Sequence, residues 1–117
     1  MTSADTAHQK VSPVTRIQNW YRSQCDGDWE HSYGLTIETL DNPGWQVTID
    51  LADTPWAAVR VPLEVIERTD RDWVHLEVTA AKFKAAGGPG NLEELIELFF
   101  ARVIDSPAET EGAKPQT

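Results

Sequence analysis

The chain has 117 residues, 40% of them apolar and 25% charged, which fits one soluble domain able to bury a sizeable core without disulfides or metals. Its net charge of −9 argues against nucleic-acid and anionic-membrane partners, which need clustered Lys and Arg, and favours either plain solubility or a basic partner. One cysteine, Cys25, excludes an internal disulfide and suits a reducing compartment.

Residues 1–11 are small and polar, with no apolar stretch of signal-peptide type, and are expected to form a disordered tail. No apolar run approaches the ~20 residues of a membrane helix, so the cytoplasm is the expected location. Ser12-Pro13 then reads as a helix start: Ser accepts from an early backbone N–H, and Pro loses nothing at the first helical position. Val14, Ile17 and Tyr21, with Gln24 or Cys25 beyond and Trp20 beside them, predict an apolar stripe on about three turns. Gly27 is the stop, and residues 25–31 are an acidic loop.

Tyr33, Leu35, Ile37 and Thr39 alternate with Gly34, Thr36, Glu38 and Leu40, which predicts a strand. Asn42-Pro43-Gly44-Trp45 predicts a type II turn, with Gly44 supplying the positive φ. Trp45, Val47, Ile49 and Leu51 form the inward set of a second strand, completing a hairpin. A third strand is predicted with Val59, Val61, Leu63 and Val65 inward; Pro62 confines it to an edge or a bulge. Val74, Leu76 and Val78 alternate with Trp73, His75 and Glu77 in a fourth. Residues 79–86 fit no single pattern, and Lys82-Phe83-Lys84 reads at most as a short strand extension. After the break at Gly87-Gly88-Pro89-Gly90, Asn91 is the expected cap of a last helix, with Glu94 as its reciprocal partner. Leu92, Leu95, Ile96, Phe99 and Val103 are its stripe, widened by Leu98 and Phe100. Residues 105–117 are a second expected tail.

The predicted fold is therefore α+β: an N-terminal helix, a four-stranded antiparallel meander and a C-terminal helix. The single domain covers residues 12–104, and both helices pack on one sheet face. The other face would carry Thr36, Glu38, Gln46, Thr48, Asp50, Arg60, Glu64, Trp73, His75 and Glu77. Trp73 and His75 among carboxylates make it a better interaction surface than a plain polar one.

No catalytic constellation emerges. Cys25 sits near a helix C-terminus and precedes Asp26 and Asp28, both of which disfavour a thiolate; packing is the simpler role than sulfur transfer. Asp26, Asp28 and Glu30 open like a calcium loop, but the twelfth position is Ile37 and Gly27 is not at the sixth. The Gly87–Gly90 stretch is followed by Asn91-Leu92-Glu93-Glu94 rather than Lys and Ser or Thr, which suits a connection better than a phosphate cradle. No metal or cofactor is expected. Charge is concentrated: between Arg22 and Arg60 lie seven acids (Asp26, Asp28, Glu30, Glu38, Asp41, Asp50, Asp53) and no Lys or Arg. Trp29, flanked by two acids, is either a core anchor or a binding hot spot.

Four blocks stand out: Ile17 to Tyr21, Gln24 to Gly34 (Gln-Cys-Asp-Gly-Asp-Trp-Glu-His-Ser-Tyr-Gly), Ile37 to Trp45 (Ile-Glu-Thr-Leu-Asp-Asn-Pro-Gly-Trp) and Gly87 to Leu92, of which Trp29 to Gly34 and Leu40 to Trp45 are long enough to be specific. Together they resemble the immunity protein 53 family of bacterial polymorphic toxin systems, from Val14 to Val103. The resemblance implies a cytoplasmic protein that binds and blocks a cognate toxin domain and so protects the producing cell; the Cys25 setting argues against an enzyme. Charge and aromatic placement, not the family, select the candidate contact residues: Asp26, Asp28, Trp29, Glu30, Asp41, Trp73 and His75, facing a basic toxin surface. A small acidic adaptor or a homodimer pairing through the open sheet face is the alternative, and a Cys25-dependent sulfurtransferase the remoter one.

Overall fold

The computed structural model describes residues 11–105. The two expected tails lie outside the described residues, apart from Val11 and Asp105. The elements in chain order are helix α1 (Pro13–Gln24), a single turn α2 (Trp29–Ser32), and strands β1 (Leu35–Leu40), β2 (Gly44–Asp50), β3 (Val61–Glu67), β4 (Trp73–Thr79) and β5 (Lys82–Gly87). Helix α3 (Leu92–Phe99) and a π-helical turn (Phe100–Ile104) follow. Among the described residues no helix is long and apolar enough to cross a membrane.

Helix α1 begins as its sequence dictates. The Ser12 hydroxyl accepts from the Thr15 amide at 3.1 Å, and Pro13 occupies the first turn. Its buried face is Pro13, Ile17 and Trp20, however, and Val14 and Tyr21 of the predicted stripe are exposed. Trp20 turns the helix. Its ring lies 6.0 Å from Trp29, 6.1 Å from Trp56 and 5.1 Å from Phe99, centroid to centroid, and burying that area outweighs burying Val14.

The strands form one antiparallel sheet in the order β1-β2-β5-β4-β3. This corrects the four-stranded meander in two respects. Lys82–Gly87 is a full central strand, with Phe83 and Ala85 buried in register between Val47, Ile49, Leu76 and Val78. After β2 the chain crosses to the far edge, and β3, β4 and β5 return until β5 pairs with β2. Every consecutive pair except β2–β3 is adjacent.

The pairing of β3 with β4 slips between Val61 and Glu64. Two residues, Pro62 and Leu63, stand opposite one, which is a β-bulge, and a one-residue slip exchanges the faces of all that follows. Leu63 and Val65, expected inside, are therefore 62% and 51% exposed, while Ile66 packs against the core. Glu64, expected on the open face, turns to the helices. Its carboxylate accepts from Arg102 Nε at 2.9 Å and Nη2 at 2.7 Å.

The Asn42–Pro43 peptide is cis, and Gly44 does not adopt the positive φ that the expected type II turn requires. Gly44 is needed for another reason: a Cβ there would overlap the Gly87 carbonyl oxygen. The core is one-sided. Val47, Ile49, Val74, Leu76, Val78 and Phe83 of the sheet meet Ile17 and Trp20 of α1 and Leu95, Ile96, Phe99, Phe100 and Val103 of the C-terminal helix. Among the described residues no helix covers the opposite face of the sheet.

Candidate partner-binding surface

Cross-strand register places Glu38, Gln46, Ala86, His75 and Val65 in one row of the open face, with Thr36, Thr48, Lys84 and Glu77 in the next. Trp73 and His75, two residues apart on β4, project from this face side by side, their ring centroids 5.0 Å apart. His75 Nε2 lies 3.0 Å from a Glu67 oxygen on β3. Around them Asn42, Glu67, Arg68, Thr69, Asp70, Trp73 and His75 line an open depression of about 490 Å³.

A polar clamp on the other side of the sheet fixes this end. Buried Asn91 does not cap α3 with its side chain, contrary to its sequence context. Its Oδ1 accepts from the Trp73 amide at 3.4 Å, and its Nδ2 donates to Asp72 at 3.0 Å and Glu94 at 2.9 Å. Arg68 donates to the same Asp72 and Glu94, at 2.6 Å each. The Asn91 amide and then the Arg68 guanidinium hold the Asp72 carboxyl below the usual range; for Glu94 the Arg68 bond dominates. Two carboxylates therefore neutralise Arg68, and Glu67 and Asp70 leave the depression negative. Beside it, the Trp45 indole donates to the Pro89 carbonyl at 2.9 Å, tying β2 to the glycine-rich connection. That stretch links β5 to α3.

The acidic loop lies at the opposite end of the sheet, since it precedes the start of β1 whereas Trp73 begins β4. Six residues of strand separate the two ends, roughly 20 Å. Trp29, expected as a candidate contact residue, is 4% exposed and its indole donates to the Ala52 carbonyl at 2.9 Å, so it anchors the loop to the core. Asp26 Oδ1 accepts from the amides of Asp28 and Trp29, which lowers its pKa. The Glu30 carboxylate accepts from the amides of Asp26 and Gly27, at 2.9 Å each. Both carboxylates are occupied in building the loop. Asp28 and Asp41 are exposed, Asp41 next to the Asn42 that reaches the depression. Cys25 is half-buried at the end of α1, its thiol donating to the Tyr21 carbonyl at 3.3 Å. Among the described residues no group of three His, Cys, Asp or Glu is gathered as a metal cage.

The structure thus brings Trp73 and His75 together, leaves Asp41 near them, and sets Asp26, Asp28 and Glu30 apart. Sequence reasoning missed Glu67 and Asp70, which only the β3–β4 pairing brings beside the rings, and Leu63 and Val65, which the bulge turns outward. Neither the curated proteins nor the solved structures contain a match to the chain. The family model described as immunity protein 53 matches residues 14–104, nearly all of the described chain. The chain belongs to the immunity protein 53 family.

Proposed function

We propose that this protein acts by stoichiometric binding: it docks on a cognate toxin domain in the cytoplasm of the producing cell and blocks it. One observation carries the choice of surface. The helix-free face presents paired Trp73 and His75 rings over a depression lined by Glu67 and Asp70. An aromatic anchor within a charged surround is the composition of an interface hot spot, and a net charge of −9 would speed encounter with a basic toxin.

The test is co-expression with the C-terminal domain of a large secreted protein encoded directly upstream. The wild-type chain should co-purify with that domain and restore growth. Trp73→Ala and His75→Ala should weaken the complex by tenfold or more, on the order expected for hot-spot truncation, with circular dichroism unchanged. Undiminished affinity in both variants removes this face from the contact.

A further inference from the structure

The two edges of the sheet are built differently. At β3, Pro62 and the adjacent bulge interrupt the edge, devices that hinder pairing with another chain. Strand β1 has neither: Leu-Thr-Ile-Glu-Thr-Leu is continuous, in unbroken register with β2, and contains no Pro, Lys or bulge. The Asp50 amide donates to the Gly34 carbonyl, so Gly34 faces β2. By antiparallel alternation Thr36, Glu38 and Leu40 do the same, and the backbone N–H and C=O groups of Leu35, Ile37 and Thr39 face outward. Among the described residues no strand lies beyond them.

The side chains along this edge are of two kinds. Towards the helices, Ile37 is 39% exposed, and Ile17, Gln18, Tyr21, Gly34 and Leu35 line an open, mostly apolar hollow of about 290 Å³. Towards the open face stand Thr36 and Glu38. Residues 23–59, which include the whole edge strand, contain seven acids and no Lys or Arg; Asp50 is paired with Lys82, while Asp28, Glu38 and Asp41 are exposed.

We infer that the β1 edge is a docking strand for an extended segment of the toxin domain whose side chains alternate between apolar and basic. The added strand would pair with the outward groups of Leu35, Ile37 and Thr39. Residues opposite Ile37 would turn towards the apolar hollow, and those opposite Glu38 would present Lys or Arg on the open face. Charge complementarity selects this occupant over a second copy of the chain, which would bring its own acidic edge. The inference rests on the immunity reading and adds the mode of docking.

Amide hydrogen exchange tests it, with two probes: the catalytically inactivated toxin domain, and a synthetic peptide alternating Lys and Val. In the free protein the amides of Leu35, Ile37 and Thr39 should exchange quickly and those of Thr36 and Glu38 slowly. In the complex the first three should slow by tenfold or more. Ile37→Pro removes one outward N–H and should weaken toxin binding about tenfold, the order expected for losing a backbone bond and its neighbours. Ile37→Lys should weaken it similarly and guards against misfolding of the proline variant. If the toxin domain binds without protecting β1, the docking strand is wrong and the immunity reading stands. If the peptide protects β1 but the toxin domain does not bind, the immunity reading fails and the edge site stands. Protection by neither probe overturns the site. So does protection already present in the free protein alongside concentration-dependent dimers in light scattering, which would assign the edge to self-pairing.

Discussion

The indole nitrogen of Trp29 donates to the backbone carbonyl of Ala52 at 2.9 Å, joining the acidic loop to the segment that leaves β2. The same ring meets Trp20 edge-on at 6.0 Å and lies 6.1 Å from Tyr33. Trp29 therefore fastens the loop to the core, leaving Asp28 exposed while the Glu30 carboxylate folds back onto the Asp26 and Gly27 amides. Trp29→Ala should cost about 3–5 kcal/mol, the range for deleting a buried large aromatic. Trp29→Phe keeps most of the area but leaves the Ala52 carbonyl without its donor, and should cost about 1–3 kcal/mol. Urea denaturation followed by fluorescence or circular dichroism measures both. If the alanine variant keeps a wild-type midpoint, the anchoring role is wrong.

The β4–β5 hairpin turns through Ala80 and Ala81, at φ 55° and 59°. Thr79 pairs with Lys82 across this two-residue loop, whose positive φ at both centres fits a type I′ turn. Such turns favour Asn-Gly, because a Cβ in the left-handed region costs roughly 1–2 kcal/mol. Ala80 is exposed, so Ala80→Asn should stabilise the protein by about 0.5–1 kcal/mol without disturbing a contact. A raised urea midpoint at unchanged slope is the expected result, and a lowered midpoint contradicts the turn assignment.

That hairpin also explains what the sequence concealed. Ala-Ala carries no turn signal, so β4 and β5 merge into one ambiguous run and the central strand goes unrecognised. Elements with local punctuation were legible: Ser12-Pro13 opens α1, and the Leu95–Ile96–Phe99–Val103 stripe buries α3. Trp73 and His75 were legible as a pair because period-two alternation in β4 is unbroken. The outward turn of Leu63 and Val65 was not, since a bulge is a property of pairing with another strand and leaves only Pro62 as a trace. Trp29 shows the same limit. Its neighbours in sequence are acids, whereas its neighbours in space are Trp20, Tyr21 and Tyr33.

Acid should loosen the contact between β3 and the C-terminal turn. Hydrogen bonding to the Arg102 guanidinium holds the Glu64 carboxyl below its ordinary value of 4.5, and Arg68 does the same for Glu94. A depressed carboxylate pKa contributes stability that is fully present above the unfolded value and is lost as pH falls through the folded value. The urea midpoint should thus be nearly flat around neutral pH and decline below pH 4.5. The Glu64 and Arg102 side chains are 33% and 35% exposed, so solvent screening limits the pair to about 1 kcal/mol or less. Glu64→Gln should be slightly less stable at neutral pH and decline less steeply in acid. A variant with the wild-type acid profile would remove Glu64 from that response.

Charge reversal in the acidic loop separates contact from construction. The Asp26 and Glu30 carboxylates accept four backbone amides between them, so reversing either should disorder the loop before it reports on a partner. The Asp28 side chain makes no hydrogen bond among the described residues, and its position is exposed. Asp28→Lys should therefore leave the urea midpoint within about 0.5 kcal/mol of wild type. If the loop steers a basic toxin domain, the same change should slow association several-fold at low salt, and the difference should shrink as ionic strength rises. Dissociation should change much less, because a peripheral charge acts mainly on encounter. Stopped-flow mixing with the inactivated toxin domain at two salt concentrations gives both rates. An association rate equal to wild type at low salt would confine the contact to the β1 edge and the Trp73–His75 face, leaving the loop with a purely structural role.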